Sequence, residues 1–412
     1  MLRSSCLICA SSVEPFISFG KMPIANGFLT AAQLADEYFY ELDVVFCPTC
    51  GMVQLGHLVE PEKMFHENYA FFSSTSTRMA KHFEQFADSV AAVLSPRSDP
   101  LVVEIGSNDG IMLRHFAERG TRHLGVEPSK NVAEIASSRG VRTISRFFDE
   151  DLAREILEQH GPADAVLGAN VMCHIANIHS VVAGVKRLLK PEGVLVFEDP
   201  YLGDIVELTS YDQIYDEHVF YFSVRSLSAL FAMHDLEIVD VQRQPVHGGS
   251  MRYVVGHKGA RVASARVVRQ TAKEAELGLG EARTFVDLRE RIERSRGMLR
   301  QALDSLRAGG NRVVGYGATS KSTTVINYCG ITAEHLEFIS DTTPIKQGKR
   351  SPGAHIPVRP YAEFQRQYPD YALLFAWNHS QEILAKEGDF MRQGGRFLVY
   401  VPEVHLVDSD QA

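Results

Sequence analysis

Between about residues 100 and 258 the chain carries a series of strand-forming runs, LVVEIG, RHLGVEP, GVRTI, ADAVLGAN, GVLVFEDP, LEIVDVQR and SMRYVVGHK, several of them apolar on both faces. A strand that is apolar on both faces must be covered on both, and the stretches between these runs have helical character. The pattern demands a parallel sheet sandwiched by helices. The last two runs follow one another closely and can form an antiparallel edge.

The flanking regions differ in kind. Up to about residue 60 the chain is turn-rich and short on helical period, with Cys6 and Cys9 near one end and Cys47 and Cys50 near the other. The segment FHENYAFFSSTSTRMAKHFEQFADSVAAVL then passes from an aromatic, hydroxyl-rich loop into an amphipathic helix, which its Ser and Thr residues can cap. Residues 261–308 lack strand signals and place Phe285, Leu288, Ile292, Leu299, Leu303 and Leu306 on one stripe, which reads as a helical connector broken at Gly278 and Gly280. Beyond it, NRVVGYGATSKSTTVINY, LEFISD, YALLFAWN and GRFLVYVPEVHLV repeat the strand and helix alternation. No solenoid period is present.

The expected fold is therefore α/β in three parts. A cysteine module occupies residues 1–70, a central Rossmann-like domain 71–258, and a helical connector with a smaller Rossmann-like domain 259–412.

Composition bounds the function. A formal net charge of −9 argues against a protein whose task is to coat nucleic acid or an anionic membrane. No apolar run approaches the roughly 20 residues of a membrane span, and MLRSSCLICASS lacks a signal peptide's apolar core. A cytoplasmic monomer is expected.

In a reducing compartment, paired C-x-x-C motifs point to metal before disulfide. Each pair presents two thiolates from one tight knuckle, and two knuckles complete the tetrahedral shell that zinc prefers. Cys6, Cys9, Cys47 and Cys50 are read as structural zinc ligands; reduced core cysteines or a redox pair is the alternative.

LVVEIGSNDG ends a strand in a turn holding Glu104, Gly106, Asn108, Asp109 and Gly110, and a helix follows. Glycines there let the backbone approach a ligand beside a helix amino end. Glu127, at the tip of the next strand, can accept both hydroxyls of a ribose. The spacing is not the G-x-G-x-x-G of a dinucleotide site, and the E-x-G-x-x-x-G form favours S-adenosylmethionine (SAM). Asn170 would lie near the methionine part of that ligand, and Phe147 with Phe148 would wall the adenine. His174 would face the transferred methyl, although a core histidine fits the sequence comparably.

YDEHVFYF concentrates Tyr215, Glu217 and His218 in one short run. Methylation at carbon requires a base for a C–H proton beside a carbonyl and donors for the enolate. His218 can be that base, Glu217 can orient it and Tyr215 can donate. A packed strand edge is the competing reading. Glu198, Asp199, Tyr201, His247 and Arg252 are possible neighbours of an acceptor, with surface loops as the alternative.

A second strand, glycine turn and helix, VVGYGATSKSTTVINY, places Gly315, Gly317 and Lys321 where backbone N–H groups and an amine suit a phosphate. A nicotinamide dinucleotide or purely structural glycines are the rivals. Asp341 and the basic residues after it depart from a plain dinucleotide pattern. Trp377, Asn378 and His379 end another strand and can line the same crevice.

Taken together, both cysteine knuckles, VEIGSNDGIMLR, CHI, FEDPYLGDI, YDQIYDEH, VHGG, VVGYGATSKS, DTTP, PGAHIPV and LLFAWNH resemble, in order and over nearly the whole chain, the SAM-dependent C-methyltransferases of nucleotide-linked 4-keto deoxysugars. The resemblance implies methyl transfer to C3 of a 4-keto sugar, on TDP, with His218 as base and Tyr215, Glu217 and His174 nearby. It also implies substrate contact by Tyr69 and a C-terminal domain that grips the nucleotide. Where the family often has a second tyrosine, this chain has Phe71, so that hydroxyl is not carried over. An O- or N-methyltransferase, or a zinc-containing ligand-binding module, are the other readings.

Overall fold

A computed structural model of the chain describes residues 2–64, 77–94 and 98–407. Tyr69 and Phe71 lie outside the described residues.

The cysteine module is built on an antiparallel meander of three strands, Glu14–Pro23, Phe39–Phe46 and Val53–Leu55. A fourth strand, Phe220–Tyr221, comes from the middle of the chain and pairs with Val53 and Gln54. The aromatic half of YDEHVFYF is thus a strand: Val219, Phe220, Tyr221 and Phe222 are all buried. Its polar half, Tyr215–His218, is held in the loop that leads into this strand, between the module and the central domain.

The central sheet has seven strands. Leu101–Ile105 lies in the interior, flanked in parallel by Arg122–Val126 and Ala163–Ala169, with Thr143–Ile144 and Leu189–Pro200 beyond. Every residue of Leu101–Ile105 is buried, as its two-sided apolar sequence requires. Ser250–His257 runs antiparallel to Leu189–Pro200 and pairs with Leu236–Gln244 to form the antiparallel edge.

The connector is two helices, Ala265–Glu276 and Ala282–Ala308, separated at the expected glycines. Phe285, Leu288, Ile292, Leu299 and Leu303 are buried along one stripe. Glu274 is also buried: it accepts the N–H groups of Val224 and Arg225, at the start of the helix Val224–Ala232, and the Tyr201 hydroxyl. A carboxylate at a helix amino end stabilises it through the unpaired N–H groups and the macrodipole.

The C-terminal sheet has six strands. Val358–Pro360, Ile339–Asp341, Val313–Tyr316, Tyr371–Leu374 and Arg396–Val399 are parallel, and His405–Leu406 closes the edge antiparallel. Among the described residues no helix is long and apolar enough to cross a membrane.

Candidate active site and metal centre

Tight turns make the metal centre. Ala10 N–H returns to the Cys6 carbonyl at 3.0 Å and Gly51 N–H to the Cys47 carbonyl at 2.8 Å, so each knuckle aims two sulfurs the same way. The Sγ atoms of Cys6, Cys9, Cys47 and Cys50 all lie within 4.8 Å of one another. Ile8 N–H and the Gln54 amide donate to Cys6 Sγ at 3.3 and 3.1 Å, the outer shell a zinc thiolate needs. Four thiolates fit a closed structural zinc site with no position left for substrate.

One cavity of about 960 Å³ gathers residues from all three parts of the chain. At its cofactor end, Gly106 has φ +67°, and a Cβ there would come within 2.6 Å of Val171 Cγ2. Only glycine fits that turn. Asn108 N–H and Ser129 N–H donate to the two oxygens of Glu127 at 3.0 and 2.8 Å, fixing the carboxylate at the tip of its strand. Burial pushes the Glu127 carboxyl up from the ordinary glutamate value, against those two bonds. Phe147 is exposed at the cavity wall and Phe148 is buried behind it. Asn170, at φ +50°, also lines the cavity and lies 2.6 Å, through Nδ2, from His247 Nε2.

Several sequence candidates do not line the cavity: Glu104, Gly110 and Gly317, and also Asp109, Glu198, Asp199, Tyr201, Arg252, Gly315 and Trp377. Glu104 lies within the central strand, 2% exposed, with its carboxyl raised by burial and by Glu127 and Asp109. Gly110 packs on Val141 and Gly317 on Ala376. The two glycines shape turns, at φ +78° and +90°, while Glu104 lies inside the strand.

A helix, Thr77–Leu94, covers the cofactor end with Met79 and Phe83. It is tied to the sheet by a buried triad in which Glu198 takes His82 Nε2 at 2.6 Å and the Arg252 guanidinium at 2.6 Å. Arg252 also stacks on Phe86, its Cζ 3.9 Å from the ring centroid. Buried charges persist only when paired in this way.

At the centre, His218 Nδ1–H donates to the Gln213 carbonyl at 2.7 Å, and the Tyr215 hydroxyl donates to Nε2 at 2.9 Å. The carbonyl can only accept, so it sets the tautomer and leaves Nε2 as the basic nitrogen. The Gln213 backbone carbonyl holds Nδ1 of His218. Glu217 is bound by the Asn26 amide, 2.7 Å away and delivered by the cysteine module. His174 stacks on His218 with ring centroids 5.3 Å apart.

Burial holds His218 well below the usual 6.5, and His174, Lys321 and His247 push the same way, against the Gln213 carbonyl. Burial alone lowers His174 to about 4. Both rings are neutral near pH 7. The donor atoms of Cys173, His174 and His218 also lie within 4.8 Å of one another. Both nitrogens of His218 are already engaged, one by the Gln213 carbonyl and one by the Tyr215 hydroxyl.

The opposite end of the cavity comes from the C-terminal domain. Lys321 Nζ donates to the His247 carbonyl at 2.6 Å and lies 5.4 Å from the Trp377 ring centroid. Gly248, at φ +91°, lets that indole approach so closely that a Cβ would be 2.6 Å from it. Trp377 Nε1–H and the Tyr400 hydroxyl donate to buried Asp212 at 2.6 and 2.8 Å, so the C-terminal domain buttresses the loop that carries His218. Asn378 and His379 line the cavity as expected of their strand end.

Sequence reasoning missed Lys346, Asn26 and Gln213, all on the wall. Lys346 Nζ donates to the Ala318 carbonyl at 2.8 Å, and burial pushes both Lys346 and Lys321 below the ordinary amine value. Its signal was the basic stretch after Asp341. Asn26 and Gln213 act through a cross-domain contact and a backbone carbonyl, which no local motif announces.

Comparison with known proteins adds to this geometry. Three family profiles match in succession: a zinc binding domain over residues 6–65, a methyltransferase domain over 78–241 and a C-methyltransferase C-terminal domain over 245–402. The C-methyltransferase NovU of Streptomyces niveus is 37% identical over 396 residues, 96% of this chain and 94% of that protein. A ubiquinone biosynthesis O-methyltransferase of Maricaulis maris (strain MCS10) is 27% identical over 97 residues, 23% of this chain and 38% of that protein. A magnesium protoporphyrin IX methyltransferase from Synechocystis PCC 6803, solved with bound SAH, is 17% identical, with 44% of this chain and 85% of that one covered at a TM-score of 0.34.

Proposed function

This chain belongs to the SAM-dependent C-methyltransferases, and from that premise we propose that it methylates C3 of a nucleotide-linked 4-keto deoxysugar, with TDP as the nucleotide, through an enolate. The observation that carries the proposal is the engagement of His218 at both nitrogens, Nδ1 on a carbonyl and Nε2 under a phenol, at the centre of a cavity with a cofactor end and a lysine-lined end. Methylation at oxygen or nitrogen needs a base at most. Methylation at carbon needs a base and a donor beside it.

Gly106, Asn108, Glu127, Phe147, Phe148 and Asn170 would hold SAM, which would supply an electrophilic methyl group. Nε2 of His218 takes the C3 proton of the sugar. The Tyr215 hydroxyl, already beside that nitrogen, turns to the 4-keto oxygen and donates to the enolate. The positive charge left on the imidazole is shared with the Gln213 carbonyl through Nδ1–H. Lys321 and Lys346, with Asn378 and His379, hold the diphosphate end and keep C3 over the cofactor. Zinc stays outside the reaction and fixes the module that packs on the catalytic loop.

The test is solvent deuterium exchange at C3 of TDP-4-keto-6-deoxyglucose in the absence of SAM. The proposal predicts exchange by the unmodified enzyme and none by His218→Asn. No exchange by the unmodified enzyme, with SAM binding intact, would count against a carbanion route.

A further inference from the structure

Zinc modules are ordinarily read as scaffolding, and the closed four-thiolate shell supports that reading for the metal itself. The loop after the module's first strand is a different matter. Gly27 N–H returns to the Ile24 carbonyl at 3.0 Å and Phe28 N–H to the Asn26 carbonyl at 2.9 Å, a tight turn that projects Asn26 into the cavity. The turn is tethered on three sides. Ala25 N–H donates to Asp216 at 2.9 Å, on the catalytic loop. The Thr323 hydroxyl donates to the Ala25 carbonyl at 2.8 Å, and Leu29 exchanges backbone bonds with Arg350, both on the C-terminal domain. Asn26 itself donates to Glu217 Oε1 at 2.7 Å.

We propose that Asn26 is a positioning residue, through which the zinc module holds the Glu217 carboxylate in the active cavity, one residue before the His218 base. The inference deepens the C-methyltransferase reading above and rests on it. The tethers make the geometry specific. Ala25 is 1% exposed and Asp216 is 1% exposed, so the turn cannot shift without unpairing buried polar groups. An amide donor aimed at a carboxylate fixes its rotamer, whereas an acid in its place would share a proton with it. The turn that carries Asn26 and the Glu217 carboxylate then move as one tethered unit.

The experiment compares the full-length unmodified enzyme with Asn26→Ala, Asn26→Asp, Glu217→Gln and the Asn26→Ala/Glu217→Gln double variant. Turnover, SAM affinity, pH profile, zinc content and thermal midpoint are read for each. Loss of a hydrogen bond to a charged group predicts a fall in kcat of roughly 10- to 100-fold for Asn26→Ala, with zinc content, thermal midpoint and SAM affinity unchanged. Asn26→Asp should distort the pH profile through the shared proton. The double variant should be no slower than Glu217→Gln, because residues acting as one unit are not additive.

Any of three results would overturn the inference: unchanged kcat in Asn26→Ala, loss of zinc or of fold in that variant, or losses that multiply in the double variant. Absence of methyl transfer by the unmodified enzyme to any 4-keto sugar nucleotide would overturn the functional reading and this inference with it.

Discussion

The Tyr215 hydroxyl sits 2.9 Å from Nε2 of His218, while Nδ1 of the same ring is taken by the Gln213 carbonyl at 2.7 Å. The ring is thereby oriented, and on the proposed mechanism its basic nitrogen lies under the donor that an enolate would need. The pair makes the roles separable. His218→Asn should abolish both C3 exchange and methyl transfer, a loss of roughly 10²–10⁴ in kcat for a general base. Tyr215→Phe should leave exchange measurable and slow methyl transfer, since His218 remains but the enolate loses its donor. Equal turnover in His218→Asn and the unmodified enzyme would remove the base assignment.

The pH dependence follows from the burial of the ring. Because His218 is held well below 6.5, its basic form persists as pH falls, and the acid limb of kcat should lie below the value of an ordinary histidine. Turnover at pH 6 should be close to that at pH 7.5. A half-maximal point at or above 6.5, in protein that stays folded with zinc bound, would mean that the ring is not shielded in this way.

How far was this readable in the sequence? The central sheet was, because strands such as Leu101–Ile105 are apolar on both faces and only a two-sided cover satisfies them. The knuckles were, because C-x-x-C spacing is itself the geometry. Tyr215 and His218 were found together since both lie in one loop. A packed strand was one of the two readings of YDEHVFYF, but the partner of Phe220–Tyr221 was not readable, because Val53–Leu55 is far away in sequence. The Asn26 amide beside Glu217 was not readable, because it arrives from a turn 191 residues earlier in the chain. Gly110 and Gly317 matched glycine-loop patterns and shape turns without lining the cavity, and Glu104 is buried in the strand before the first of them.

Zinc should matter for stability more than for chemistry. Cys47→Ser removes one of four thiolates, and such sites contribute folding free energy outright. The expected outcome is loss of bound zinc by metal analysis, a lowered thermal midpoint and loss of turnover together. Full zinc content and an unchanged midpoint in Cys47→Ser would mean that the four sulfurs do not form the metal site.

Lys321 separates substrate grip from cofactor grip. Its amine reaches the cavity from the helix Ser320–Tyr328 of the C-terminal domain, away from Gly106 and Glu127. Lys321→Ala should raise KM for the nucleotide sugar by roughly tenfold or more, as expected for a lost charged contact, while the Kd for SAM stays constant. Calorimetry for SAM and steady-state kinetics for the sugar distinguish the two. A change in SAM affinity alone would place the lysine at the wrong end of the cavity.

The most direct measurement is product structure. The enzyme is incubated with SAM labelled in its methyl carbon and with TDP- and UDP-linked 4-keto deoxysugars, and the products are resolved by mass spectrometry and carbon NMR. The account predicts one labelled methyl bonded to C3 of the sugar, with the TDP-linked substrate preferred and S-adenosylhomocysteine formed in equal amount. A labelled methyl on oxygen or nitrogen, or no transfer to any keto sugar by zinc-loaded, SAM-binding enzyme, would contradict it.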